Sequence, residues 1–137
     1  MEAIPDEKTY TIQQVAEEMD ISAHTLRYYE KIGLLQSIQR RENGRRVYIE
    51  KDLGWVYWLK LLRSSGMSIS TMKRYVEITR VGDHTMDERC AILEEHRNHL
   101  RANIEQLQIC LEKINQKVEF YRGYEMEPMK KNGRSRK

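Results

Sequence analysis

Apolar residues recur at helical spacing along most of the chain, and the breaks in that spacing divide it into elements. Ile12, Val15, Ala16 and Met19 are separated by three, one and three positions, which places them on one face of a helix. Thr11 stands immediately before them and suits a cap on the first turn. Asp20 and Ile21 interrupt the pattern. Ser22 then caps a second helix with Leu26, Tyr29 and Ile32 facing inward, and Gly33 stops it. Two short helices with almost no linker predict a helix-turn-helix. Asp20 occupies the position where the turn needs a left-handed backbone, which aspartate tolerates better than most residues. Further on, Leu53, Val56, Tyr57, Leu59, Leu61 and Leu62 give a third helix a broad buried face, ended by Gly66. Ser68 or Ser70 caps a fourth, which carries Ile69, Met72, Tyr75 and Val76.

Between the second and third helices lies Asn43-Gly44, a strong short hairpin signal because both central residues of a type I′ turn take positive φ. Arg40, Arg41, Arg45 and Arg46 flank it. A basic hairpin after a helix-turn-helix predicts a wing, whose arginines can reach phosphates or the minor groove.

The stretch 85–122 has no glycine or proline, and its pattern changes to heptads. Met86, Leu93, Leu100, Leu107, Ile114 and Tyr121 recur every seven residues. Cys90, Ile104, Leu111 and Val118 take the complementary position, with Arg97 its one polar member. Such a helix would be roughly 55 Å long. A seam of that length needs a partner helix, so a homodimer is expected through Leu93, Leu100, Ile104, Leu107, Leu111, Ile114 and Val118. The predicted fold is mainly α: a winged helix-turn-helix head of about four short helices plus a small β-hairpin wing, followed by one long coiled-coil dimerisation helix. The expected boundaries are 1–82 for the DNA-binding head, 83–122 for the helix, and 123–137 for a disordered basic tail.

Charge sharpens the picture. The formal net charge is only +3, but residues 21–82 carry twelve Lys and Arg against five Asp and Glu, whereas residues 1–20 carry one against six. Basic charge concentrated on the predicted head is the footprint of a duplex-binding surface. No segment approaches the roughly 20 apolar residues that span a bilayer. The first residues lack the basic flank and apolar run of a secretory signal, so a cytoplasmic location away from membranes is expected. Two distant cysteines suit reduced thiols there.

Several of these residues together resemble the DNA-binding head of the mercury-resistance-regulator (MerR) family. They are Tyr10-Thr11-Ile12 with Val15-Ala16; Thr25-Leu26-Arg27-Tyr28-Tyr29-Glu30 followed by Ile32-Gly33-Leu34-Leu35; Arg41-Glu42-Asn43-Gly44 with Arg46-Val47-Tyr48; Asp52-Leu53; and Gly66-Met67-Ser68-Ile69. The resemblance implies dimers joined by an antiparallel coiled coil, bound to pseudo-palindromic operators in double-stranded DNA. It further implies that the promoter duplex is bent and untwisted so that RNA polymerase can use it. By motif position, Thr25, Arg27 and Tyr28 would meet the major groove and its phosphates, Arg46 and Tyr48 would act from the wing, and Lys60 and Ser68 would contact the DNA backbone. Arginine can also bind guanine or phosphate in bidentate fashion, which supports the role of Arg27 on chemical grounds.

Two departures from the family pattern matter. Arg45 stands where an aromatic residue is usual, adding a cation to the wing. Metal-sensing members carry cysteines in a loop after the long helix, and here no cysteine follows Cys110. No metal site or cofactor is therefore expected; His96 and His99 share no clean helical face with Cys90. Cys90 and Cys110 are candidate sensors for a thiol-reactive effector, with small-molecule binding where head and helix meet as the other route. No glycine-rich phosphate loop or Ser/His/Asp set is visible, so no enzyme is expected. The alternative to a regulator is an architectural DNA-binding or coiled-coil adaptor protein without an effector.

Overall fold

The computed structural model describes residues 8–35, 39–40, 44 and 46–126. The expected tail after Met126, the tip residue Asn43 and the wing cation Arg45 lie outside these residues. The elements run β1 (Thr9–Thr11), α1 (Ile12–Met19), α2 (Ala23–Lys31), β2 (Gln39–Arg40), β3 (Arg46–Ile49), α3 (Glu50–Ser64), α4 (Ile69–Val81), a single 3-10 turn at Asp83–Thr85, and α5 (Met86–Met126). The mainly helical architecture with a small wing and one long terminal helix is as the hydrophobic pattern predicts.

The local chemistry explains the boundaries. Thr11 and Gln14 form a capping box: the Gln14 amide donates to Thr11 Oγ1 at 3.1 Å, and the Thr11 amide to Gln14 Oε1 at 2.9 Å. Ser22 caps α2 by accepting from the Thr25 amide at 3.0 Å, and Ser68 caps α4 by accepting from the Thr71 amide at 3.1 Å. At the start of α3, Asp52 Oδ2 accepts from the Ile49 amide at 2.9 Å. Asp20 ends α1 with φ of 55°, the left-handed conformation expected of it, and it is the only non-glycine with positive φ among the described residues.

The wing differs from the simple hairpin. Its sheet has three antiparallel strands in the order β1-β3-β2, with Tyr10 opposite Tyr48 and Gln39 opposite Val47. Thr9-Tyr10-Thr11 adds the third strand, so β3 is flanked on both sides and the wing is sewn to the start of α1.

The chain divides into two compact units between Leu93 and Glu94. In the first, Val15, Leu26, Tyr29, Tyr48, Val56, Leu59, Leu62, Met72 and Val76 form one core. The buried face of α3 is narrower than its composition suggested: Tyr57 and Leu61 are 59% and 39% exposed. The first turns of α5 also belong to this core. Ile92 is buried, and Leu93, expected in the dimer seam, packs against it. A buried polar knot fastens them there. Arg89 donates to the Gly82 carbonyl at 2.7 Å, to the Thr79 carbonyl at 3.3 Å and to Thr85 Oγ1 at 3.0 Å. A cation thereby satisfies carbonyls at the C-terminal end of α4, where the helix dipole is negative.

The second unit is, among the described residues, the remainder of α5. The helix continues through Gly123 to Met126, past the glycine at which the sequence pattern breaks. Ile104, Leu107, Leu111, Ile114, Val118 and Tyr121 are all exposed along it. No helix of the described residues is long and apolar enough to cross a membrane.

The left-handed turn at Asp20 gives a direct test. Both Asp20→Gly and Asp20→Ala remove the carboxylate, but only glycine takes positive φ without strain. The glycine variant should be more stable than the alanine variant by about 1 kcal/mol in urea denaturation. Equal stabilities would mean that the turn relaxes out of this conformation.

Candidate nucleic-acid interface

Backbone and side-chain bonds close the turn of the helix-turn-helix. The Ile21 amide donates to the Ala16 carbonyl at 3.1 Å, and Ile21 packs on the core. Lys60 reaches across from α3 and donates to the Met19 carbonyl at 2.8 Å, with Asp20 Oδ2 at 3.9 Å. An ammonium at the C-terminal end of α1 suits the dipole there. Lys60, expected to touch the DNA backbone, is thus committed through one bond to the turn, although its side chain keeps 39% exposure.

Helix α2 lies on the core through Leu26 and Tyr29, and burial raises the Tyr29 phenol above its ordinary pKa. After the helix, the Leu34 and Leu35 amides both donate to the Tyr29 carbonyl, at 2.9 and 3.2 Å, and Gly33 turns the chain with φ of 90°. These anchors turn the opposite face outward. Arg27 is exposed and Tyr28 is 44% exposed, as a groove-reading face requires. Thr25 is half-buried, and its hydroxyl accepts from Ser22 Oγ at 2.9 Å. It serves the helix cap and stands at the edge of the exposed face.

One carboxylate joins α2 to the wing. Glu30 Oε1 accepts from Arg46 Nε at 2.7 Å, and Glu30 Oε2 accepts from the Tyr48 hydroxyl at 2.8 Å. This corrects the expectation for Tyr48. Its side chain is fully buried, so it has no surface to offer DNA; it holds Glu30 in place from below. Burial first, and then the bond to Glu30, push its pKa well above the ordinary tyrosine value. Arg46 is partly exposed, and its Nε is spent on Glu30. The terminal guanidinium nitrogens are the part that remains for a phosphate.

The other candidates sit apart. Ser68 is exposed, and its hydroxyl serves the α4 cap, donating to Thr71 Oγ1 at 3.0 Å. Cys90 and Cys110 are free thiols at the surface. Among the described residues no three His, Cys, Asp or Glu side chains converge as metal ligands would. Glu30 was missed as a site residue. Its signal was present in the sequence: a carboxylate one turn after Leu26, at the edge of a buried face, calls for a cationic partner.

A helix-turn-helix whose second helix shows a basic outer face, tied to a three-stranded wing, defines a winged helix-turn-helix DNA-binding protein. The family model for the MerR family regulatory protein matches residues 11–48. An HTH-type transcriptional regulator of Haemophilus influenzae is 40% identical over 113 residues, covering 82% of this chain and 84% of that one. The HTH-type transcriptional regulator AdhR of Bacillus subtilis is 38% identical over 89 residues, 65% of this chain and 64% of the other. Among solved structures, HiNmlR, a MerR family regulator lacking the sensor domain and bound to promoter DNA, superposes with a TM-score of 0.82 at 38% identity, covering 87% of this chain and 90% of that one. The chain belongs to the MerR family and is a DNA-binding transcriptional regulator.

The Glu30 cluster predicts an alkaline weakness. A phenol whose folded pKa is raised stabilises the fold fully below about pH 10, where the unfolded phenol is still protonated. Above that, the unfolded chain loses the proton while folded Tyr48 keeps it, so stability falls as pH rises. Tyr48→Phe should flatten this slope in urea titrations from pH 9 to 11, and Glu30→Gln should cost about 1–3 kcal/mol at neutral pH. A wild-type slope unchanged in Tyr48→Phe would place the titrating group elsewhere.

Proposed function

We propose that the protein acts in the cytoplasm as a homodimer on a pseudo-palindromic promoter operator. Each copy applies one α2 to the major groove and one wing to the adjoining backbone, and the pair bends and untwists the intervening duplex for RNA polymerase. No catalytic role is part of this reading. The observation that carries it is the exposed stripe on α5: Ile104, Leu107, Leu111, Ile114 and Val118 line one side of a helix and, among the described residues, are left uncovered. A two-fold dimer of readers calls for a two-fold DNA site.

Charge favours antiparallel helices. In a parallel pair, Lys117 would flank Arg122 of the other copy, like charge against like. In an antiparallel pair centred near Ile109, Ile104 faces Ile114, Leu107 faces Leu111 and Leu100 faces Val118 of the other copy. Glu94 then flanks Arg122 with opposite charge. The two Cys110 thiols lie beside the dyad in this register, whereas the Cys90 thiols are far apart. A thiol-reactive effector would find both cysteines at the surface.

Footprinting decides between the regulator and an architectural protein. The regulator protects one short symmetric site in a promoter, whereas broad coating of DNA without preference would defeat the proposal. Arg27→Ala should weaken operator binding by about 1–3 kcal/mol while leaving the dimer intact. A short bis-maleimide should link two copies of the protein, and Cys110→Ser, but not Cys90→Ser, should abolish the link. Leu107→Asp with Leu111→Asp should sediment as a monomer; a persistent dimer would move the interface off this stripe.

A further inference from the structure

The outward face of α2 carries more than Arg27 and Tyr28. His24, Arg27, Tyr28 and Lys31 are all exposed, and all lie outside the core. At about 100° per residue, these four fall within a single arc of about 100°, opposite Leu26 and Tyr29. The stripe is roughly 10 Å long, from the first turn of α2 to its last residue, which is about three base-pair steps of a duplex. A recognition helix places its N-terminal residues deepest against base edges. On this helix the N-terminal member of the stripe is His24, one turn before Arg27. Thr25, its neighbour, lies about 100° round the helix at the margin of the stripe, and its hydroxyl is held by Ser22.

We propose that His24 is a specificity-determining residue that reads a purine edge in the major groove, and that Lys31, at the other end of the stripe, contacts a phosphate. This rests on the operator-binding reading above. The chemistry differs at the two ends. An imidazole always offers at least one N–H donor on a flat ring held by only two torsions, which suits the N7 or O6 acceptor of a purine. An ammonium on a four-carbon stem is a mobile point charge that suits backbone phosphate and carries no sequence information. His24 thus adds a base position to the one that Arg27 reads, displaced along the groove by about one helical turn.

The test uses the full-length protein and a pool of duplex DNA with randomised sequence, from which bound molecules are selected and sequenced. Wild-type protein should recover a symmetric consensus. His24→Ala should recover the same consensus with one position, mirrored in both half-sites, left random, and should lose about 5- to 100-fold in preference at that position. Its affinity for unselected duplex and the salt dependence of that affinity should be unchanged. Lys31→Ala should do the reverse: the consensus intact, affinity for every sequence lowered, and the salt slope reduced by about one per subunit. His24→Ala that keeps the wild-type preference at every position overturns the proposal, provided circular dichroism and sedimentation match the wild type. Weakened binding without a change of consensus also overturns it, because it would make His24 a backbone contact. A wild-type protein that selects no symmetric sequence refutes the operator reading itself, a result distinct from failure of the His24 variant alone.

Discussion

The head depends on the Glu30 carboxylate more than on any other single polar group. It stands on the second helix of the helix-turn-helix and holds, with its two oxygens, two residues of β3 in the wing. A winged reader works only if helix and wing keep a fixed separation, since each must meet its own part of the duplex. Backbone hydrogen bonds do not link α2 to β3, and packing alone would let one slide on the other. The bonds from Arg46 and Tyr48 fix the register between them. Because Glu30 is only 12% exposed, its charge is poorly solvated, and loss of either partner leaves it costly to keep. The same arrangement explains why a fully buried tyrosine sits in a wing. Tyr48 supports the carboxylate from the core side, while Arg46 meets it from the solvent side.

A second constraint acts at the start of α5. The Thr85 hydroxyl lies 2.7 Å from the Gly82 carbonyl and 2.9 Å from that of Ile78, and Arg89 bonds into the same group. The last carbonyls of α4 would otherwise be left without partners in a half-buried setting. The knot satisfies them with the side chains of Thr85 and Arg89, so the connection between α4 and α5 is closed by these polar bonds and by Ile92 in the core. The first two turns of α5 are therefore part of the head's own structure. The stripe suited to a second copy is left to the residues from Ile104 onward, where the apolar positions are exposed.

Local chemistry was legible in the sequence wherever it could be satisfied within a few residues. The caps at Thr11, Ser22 and Ser68, the left-handed turn at Asp20 and the inward face of α2 all follow from side chains acting on nearby backbone. The pairing of β1 with β3 was not legible. Three residues of alternating pattern are too few to distinguish a strand from an extended lead into α1, and the partner lies about forty positions away. The breadth of the buried face of α3 was misjudged for a related reason. Tyr57 and Leu61 are apolar, but apolar composition does not say which side has a neighbour. At the site, Arg27 and Tyr28 were placed on the outward face correctly because Leu26 and Tyr29 fix the opposite one. Tyr48 was not, since β-strand alternation gives two faces and only the tertiary fold shows that both are covered at Val47 and Tyr48. Lys60 was assigned to the DNA backbone because a cation in a sequence gives no sign of whether a phosphate, water or a distant backbone carbonyl is its partner.

The modest charge of the head bears on why two copies are needed. Each α2 stripe offers Arg27 and Lys31 as full cations, and the Arg46 charge is shared with Glu30. The two acidic residues of α1, Glu17 and Glu18, lie exposed on the same head and oppose general attraction to phosphate. Counting the acidic stretch at the start, residues 1–82 carry thirteen Lys and Arg against eleven Asp and Glu, a small excess that limits general attraction to phosphate. In the proposed dimer joined through α5, the second head would meet its half-site at an effective concentration in about the millimolar range, so that two modest affinities would combine into one that exceeds either by about 100-fold or more. Low charge then becomes an advantage. Random duplex rarely presents both half-sites at the right separation, so it gains little from the second head and is not held by electrostatics either. On the proposed reading, discrimination would come from pairing two readers, which would make the exposed apolar stripe of α5 as much a determinant of sequence specificity as the residues of α2.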